Sequence, residues 1–333
     1  MQVRSLHRIG VIGLGLIGGS LARRLAPRTD LVGYAVHSAT RLAAQASGIT
    51  VAASVAEATA NRDLVVLAVP LPAIQTVLPE VLSTLDGAVL TDVGSVKLPV
   101  RATVTTAAAA GGGRPVLYVG GHPMAGTERS GFGAADPTLF DGAAWVLCLE
   151  DDTDLDSWLA LAAVVTSMGC RVVPCTAADH DAALARVSGL PHVLASALAV
   201  AGAAGGPLAL SLGAGSFRDG TRVAGTRPEL IAALCDGNRD ALAEVLTSTI
   251  TELTNARDAL RGGASVSPLA EAGTAARGRW VEIGDGAGTR ADLEAGTGLR
   301  AELLALGAAG GAVRAVSTAG KLRCDRPRAA GQA

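Results

Sequence analysis

The sequence predicts an α/β chain: an N-terminal domain of alternating strands and helices, followed by an all-α domain. Three observations predict it. A short apolar strand, Arg8 to Ile12, runs straight into a glycine-rich turn and a helix. Continuous apolar runs that end in turn residues recur through about residue 175. From about Ala177 the pattern becomes helical. With 333 residues the chain is long enough for two domains and a sizeable core.

The first strand leads into Gly13-Leu14-Gly15-Leu16-Ile17-Gly18-Gly19-Ser20, and Leu21 to Leu25 continues as helix. This is G-x-G-x-x-G in the setting it requires, strand before and helix after. Gly13 allows the tight turn, Gly15 lets backbone approach a pyrophosphate at the helix N-terminus, and Gly18 lets helix pack on strand. The domain therefore reads as Rossmann-like and dinucleotide-binding, with Gly13, Gly15, Leu16, Ile17 and Gly18 around the cofactor. A glycine-rich turn that binds nothing is the bland alternative.

Leu31 to Val36 is the next strand. An acid that binds the adenosine ribose belongs near its end. The segment reads Gly33-Tyr34-Ala35-Val36-His37-Ser38 and contains none, while Arg41 follows. Ser38 and Arg41 could accept a 2′-phosphate, or could be plain solvated helix-start residues. The cofactor is therefore written NAD(P). Asp63 to Pro70 and Ala88 to Asp92 read as buried parallel strands, and Val116 to Val119, Ala143 to Leu149 and Cys170 to Pro174 as further strands. Ligands of open α/β sheets lie beyond the strands' carboxyl ends, which is where Pro70, Ser95 and His122 fall.

His122 sits in Gly120-Gly121-His122-Pro123-Met124-Ala125-Gly126, one of five histidines in the chain. Pro123 fixes its own φ and biases His122 toward extended backbone. An aimed imidazole beside glycine-lined space suits proton transfer; a histidine in a turn between strands is the other reading.

The helical part holds a long run from Asp179 to Ala203, a helix from Pro228 to Asn238, and another from Arg239 to Arg261. Pro228 sits where a first-turn proline belongs. Beyond Gly263 the chain is glycine-rich; Trp280 to Ile283 reads as a strand, Leu299 to Leu306 as a short helix, and Arg323 onward as a disordered tail. His192 follows Pro191, and Ser216-Phe217-Arg218-Asp219-Gly220-Thr221-Arg222 brings two arginines behind a glycine-rich turn. Guanidinium groups hold carboxylates in bidentate fashion. Equally, a helix histidine can be a satisfied core residue, and arginines around a turn can be surface ion pairs.

Composition excludes several classes. A net charge of -2 with 17% charged residues gives no reason to expect nucleic acid or an acidic membrane surface as a partner. The mean hydropathy of +0.39 calls for a membrane check. Val187 to Phe217 lacks charged residues, but Pro191, His192 and the Gly202 to Pro207 break interrupt it, so a buried helix pair is expected rather than a span. No signal peptide is expected from the polar N-terminus. Five scattered cysteines without a CxxC pair suggest neither a metal site nor a disulfide framework, and fit a reducing cytoplasm.

Taken in order, G-L-G-L-I-G-G-S (Gly13 to Ser20), D-V-G-S-V-K (Asp92 to Lys97), G-H-P-M-A-G (Gly121 to Gly126), L-F (Leu139-Phe140), L-P-H (Leu190 to His192) and F-R-D-G-T-R (Phe217 to Arg222) resemble the prephenate and arogenate dehydrogenases. The resemblance covers about residues 8 to 260. It implies oxidative decarboxylation of prephenate to 4-hydroxyphenylpyruvate, or of arogenate to tyrosine, with NAD(P), NAD being the family's more usual cofactor. It implies His122 as the base that takes the ring-hydroxyl proton. It implies Ser95 as a contact to that hydroxyl and the nicotinamide, His192 as a pocket wall, and Arg222 as the carboxylate holder. It also implies a homodimer formed through the helical domain. The expected organisation is 1–175 dinucleotide-binding, 176–264 helical substrate and dimerisation domain, and 265–333 an extension with no assignable fold.

Departures from the family pattern are Gly189 where many relatives carry histidine, Ile231 where an aromatic is common, and Ala35 where an acid is common. They bear on substrate side chain and cofactor choice, not on reaction class. A hydroxy-acid or imine reductase would rely on a lysine in the helical domain, and there is none before Lys321. A non-catalytic NAD(P) sensor would need the glycines but not His122, Ser95 and Arg222 together.

Overall fold

The computed structural model describes residues 2–127, 129–285 and 288–327. The chain divides into two compact units, Met1–His180 with Ala287–Ala333, and Asp181–Gly286. In the first unit six strands, β1 (Arg8–Ile12), β2 (Asp30–Tyr34), β3 (Thr50–Val51), β4 (Leu64–Leu67), β5 (Val89–Asp92) and β6 (Leu117–Val119), form a parallel sheet. Their order is β3-β2-β1-β4-β5-β6. All residues of β4 and β5 are buried, which is why β4 is an unbroken apolar run rather than an alternating one, while β5 starts apolar and ends in the buried Thr91 and Asp92. The order reverses between β1 and β4, so the ends of those two strands open the crevice where such sheets bind ligands.

At Gly120 the chain leaves this sheet for a second one. Its strands are β7 (Gly121–Pro123), β8 (Ala144–Cys148), β9 (Arg171–Cys175), β10 (Thr289–Glu294), β11 (Ala312–Val316) and β12 (Lys321–Arg326), in the order β10-β12-β11-β9-β8-β7. His122 therefore lies within a short edge strand, not in a loop past a strand end. Residues of both sheets share one core: Ile9 and Leu31 belong to the same buried cluster as Trp158, Val172, Val313 and Leu322.

The extension after residue 265 corrects the sequence reading in three places. Strand content does not stop at residue 174, because β10, β11 and β12 complete the second sheet. Arg323 to Arg326 are strand rather than tail; residues after 327 lie outside the described residues. In β12 Leu322 and Cys324 are buried while Lys321 and Arg323 are exposed. This is a period-two pattern carried by only two apolar residues, so the charges on the outer face dominate the composition. Third, Trp280 to Ile283 belong to the helix Ser267–Asp285. The Arg277 guanidinium lies 4.1 Å from the Trp280 ring centroid, an i,i+3 pair that helical spacing creates.

The second unit is helical: Leu190–Ala204, Gly206–Ser211, Gly215–Thr221, Pro228–Gly237, Arg239–Arg261 and Ser267–Asp285. A π-helical turn, Ala185–Gly189, joins Ala177–Leu184 to Leu190–Ala204. Its own core is small, built on Ala185, Leu242 and Val245. The expected buried helix pair is not found: only Ala195 of Leu190–Ala204 is buried, and Val187, Leu198, Leu208 and Leu212 are exposed. By length and hydropathy alone Ala177–Ala204 could cross a membrane.

Candidate active site

The glycine turn matches its assigned roles atom by atom. Gly13 has φ 102°, and a Cβ there would sit 2.4 Å from the Ala68 carbonyl oxygen. A Cβ on Gly18 would lie 1.9 Å from the Gly13 carbonyl oxygen and 2.8 Å from the Ala68 Cβ. Gly15, at the N-cap of the helix Leu16–Leu25, has no atom within 4 Å of its Cβ position. Its bareness therefore serves no contact within the protein. It leaves a cradle over an uncapped helix N-terminus, as a bound pyrophosphate requires. Leu16 and Ile17 are half-buried in the first turn, and Pro70 is the exposed N-cap of the helix Leu71–Thr84, after β4.

At the end of β5 a polar cluster is buried. Asp92 and Lys97 are 0% and 1% exposed and form a short ion pair. Asp92 also accepts hydrogen bonds from the Gly94 N–H (2.7 Å), the Tyr118 hydroxyl (2.7 Å) and the Gly121 N–H (3.4 Å). Lys97 Nζ donates to the Gly121 carbonyl at 2.6 Å. Burial, together with the Asp92 charge, pushes the Tyr118 hydroxyl well above its ordinary range, so it remains a donor. Ser95, two residues before Lys97, is exposed in the loop between β5 and the helix Leu98–Ala110.

Removing one member of a buried pair leaves the other charge uncompensated. Lys97→Met should cost about 3–5 kcal/mol of stability, while Asp92→Asn/Lys97→Met together should recover most of it. Chemical unfolding of the two variants checks this; equal stabilities would contradict it.

His122 is half-buried, and its Nδ1 lies 2.9 Å from Nε2 of His180, the rings meeting edge to face at 75°. His180 is buried and comes from the helix Ala177–Leu184. Burial holds the His122 imidazolium well below its ordinary range, helped by the neighbouring His180 and Lys97. The ring is therefore neutral at pH 7. Where Nδ1–H of His122 donates to His180, the lone pair of His122 Nε2 is left to take a proton. His180 was not singled out from the sequence as a site residue. In the sequence it is one histidine of the run from Asp179 to Ala203, set between Asp179 and Asp181, and only the fold brings it to His122.

In the second unit His192 is half-buried and its Nδ1 lies 2.9 Å from the Ser188 carbonyl oxygen, one helical turn back, which fixes the ring. Arg222 is exposed at the start of a short turn, Arg222–Gly225, that packs on Leu190–Ala204, the helix that carries His192. A Cβ on Gly202 of that helix would lie 2.6 Å from the Phe217 ring, so Phe217 anchors the F-R-D-G-T-R segment there. A Cβ at Gly189 would lie 3.2 Å from Leu242, part of the small core. Any larger side chain at this position would have to share that space.

The parallel sheet with its reversal point, the glycine cradle and a separate helical unit define a class of two-part dinucleotide-binding proteins. Within it, residues 17–174 match the family description "Prephenate dehydrogenase, nucleotide-binding domain" and residues 176–269 match "Prephenate dehydrogenase, dimerization domain". The chain belongs to the prephenate dehydrogenase family. It is 32% identical over 227 residues to the prephenate dehydrogenase of Lactococcus lactis subsp. cremoris, 66% of this chain and 61% of that protein. The chain thus spans less than two thirds of that relative's length. It is 32% identical over 266 residues to the cyclohexadienyl dehydrogenase of Zymomonas mobilis subsp. mobilis, 76% of this chain and 88% of that one. The solved structure of Synechocystis arogenate dehydrogenase is similar with a TM-score of 0.72 at 29% identity, covering 82% of this chain and 99% of that one.

Proposed function

We propose that the chain is a prephenate dehydrogenase, carrying out NAD(P)-dependent oxidative decarboxylation of prephenate to 4-hydroxyphenylpyruvate. The observation that carries this reading is the neutral, His180-tethered imidazole of His122 beside the buried Asp92–Lys97 pair. Two relatives named for prephenate and cyclohexadienyl substrates support the substrate class. A bound nicotinamide supplies the hydride acceptor. His122 Nε2 takes the ring-hydroxyl proton as the hydride leaves the carbon bearing that hydroxyl. The ring carboxylate then departs as carbon dioxide, its bonding pair aromatises the ring, and the proton returns to the oxygen. No net proton is consumed, so the base must be neutral at the start and need only shuttle. Ser95 contacts the hydroxyl, Arg222 holds a substrate carboxylate, and His192 walls the pocket.

Gly13, Gly15, Leu16, Ile17, Gly18 and Pro70 hold the dinucleotide. NAD is the favoured form: Arg41 Nη1 donates to the Ala35 and Val36 carbonyls at 2.8 and 2.9 Å, which turns that edge of the guanidinium to the backbone rather than to a 2′-phosphate. The exposed apolar residues of Leu190–Ala204, inside the matched dimerization domain, support a homodimer. Arogenate is the second reading, favoured by the similarity to the Synechocystis enzyme.

Initial rates of NAD(P)H formation with prephenate and arogenate, each with NAD and NADP, test the assignment. Prephenate with NAD should give the highest kcat/KM; a preference for arogenate moves the chain to the second reading. Arg222→Ala should raise the KM for prephenate roughly 10- to 100-fold, the worth of one charged hydrogen bond, with kcat changed less. An unchanged KM removes Arg222 from the site.

A further inference from the structure

Among the described residues, the strand that carries His122 has a neighbour on one side only, β8. Gly120 and Met124 bond to β8 through Cys148 N–H→Gly120 C=O (2.8 Å) and Met124 N–H→Ala144 C=O (2.8 Å). Backbone direction alternates along a strand, so Gly121 and Pro123 turn their polar groups away from β8. Pro123 has no N–H to satisfy there. Gly121 has both groups, and among the described residues no strand pairs with that side of β7. Side chains take the missing strand's place: Asp92 Oδ2 accepts the Gly121 N–H, and Lys97 Nζ donates to the Gly121 C=O. That carbonyl belongs to the same peptide plane as the His122 nitrogen, so fixing it fixes where the imidazole starts.

The clamp is itself rigid. Asp92 receives Lys97, the Gly94 N–H, the Tyr118 hydroxyl and the Gly121 N–H. Four donors fill the roughly four lone-pair directions a carboxylate offers. The fit is close, because a Cβ on Gly121 would lie 2.6 Å from the Asp92 carbonyl oxygen.

We propose that Asp92 and Lys97 are positioning residues for His122, acting through the Gly121 peptide as a side-chain substitute for a neighbouring strand and keeping the Lys97 ammonium close to the imidazole. The inference rests on the reading of His122 as the base. The ionisable groups that act on His122 are His180, from the helix Ala177–Leu184, and Lys97, at the start of the helix Leu98–Ala110; Asp92, Tyr118 and Cys148 are the ionisable groups of the adjoining cluster around Gly120 and Gly121. Of these, Lys97 disfavours the protonated ring, so its removal should ease protonation.

The test uses Asp92→Asn/Lys97→Met, which removes both charges and so avoids stranding one in the core. Lys97→Met serves as the second variant. With only five histidines in the chain, ring titrations can be followed by NMR, the His122 signal being assigned by its loss in His122→Asn. In the folded double variant the His122 titration should move up by on the order of one pH unit. Prephenate kcat should fall roughly tenfold or more, with the KM for prephenate and for the nucleotide within about twofold, since misplacement by an ångström costs rate rather than binding. A folded variant whose His122 titration is unmoved overturns the proposal, whatever its activity. So does a moved titration with unchanged kcat. The NMR readout needs no turnover, so it separates failure of the clamp from failure of the prephenate reading.

Discussion

His122→Asn should lower kcat for prephenate by about 10²- to 10⁴-fold, the usual contribution of a positioned base, while dinucleotide affinity stays within about twofold. The separation follows from the fold. The glycine cradle is built by β1 and the helix Leu16–Leu25, whereas His122 is on β7 of the second sheet. Asparagine fits the strand position and can keep a hydrogen bond to His180, so the loss reports chemistry and not collapse. The pH profile gives the sign. Activity needs His122 unprotonated, and burial holds its protonation below the usual histidine range. The acid limb of kcat/KM in the wild-type enzyme should therefore lie below about pH 6.5, with activity falling as pH drops through it. That limb should vanish from the residual rate of the variant. Turnover within tenfold of wild type would remove His122 from the mechanism.

Two glycine substitutions three residues apart should behave oppositely. Gly15→Ala should leave stability within about 0.5 kcal/mol, because nothing lies within 4 Å of the added methyl. It should weaken dinucleotide binding at least tenfold, about 1.4 kcal/mol, by filling the cradle. Gly18→Ala should instead destabilise the fold by roughly 1–3 kcal/mol or more, since its methyl would meet the Gly13 carbonyl oxygen at 1.9 Å. Thermal unfolding without nucleotide and fluorescence titration with it distinguish the two. Wild-type affinity in Gly15→Ala would mean that the turn does not hold a pyrophosphate.

The first sheet was legible because its signals are local. A buried parallel strand is a run of apolar residues, and the glycine turn announces itself within eight positions. The second sheet was only partly legible. β8 and β9 are apolar runs of the same kind, but β10 and β12 carry charge on their outer faces and sit among glycines, so Leu322 was given no element and Cys324 was read as part of a tail. The exposure of Leu190–Ala204 could not be read either. An apolar helix looks the same in sequence whether it faces its own core or another surface. At the site, His122, Ser95 and the glycines carried recognisable motifs. His180 did not. Asp92, Lys97 and Gly121 lie in two of those motifs, but their clamp was not legible, because it acts through a peptide group, as His180 acts through a 2.9 Å ring contact, and only the folded backbone brings these partners together.

The most direct test of the account counts carbon dioxide against reduced nicotinamide in a single reaction of the purified chain with prephenate. Oxidative decarboxylation at this site predicts one carbon dioxide released for each NAD(P)H formed, with 4-hydroxyphenylpyruvate as the product. Nicotinamide reduction without carbon dioxide, or no reduction with either prephenate or arogenate by a chain that binds the nucleotide, would contradict it.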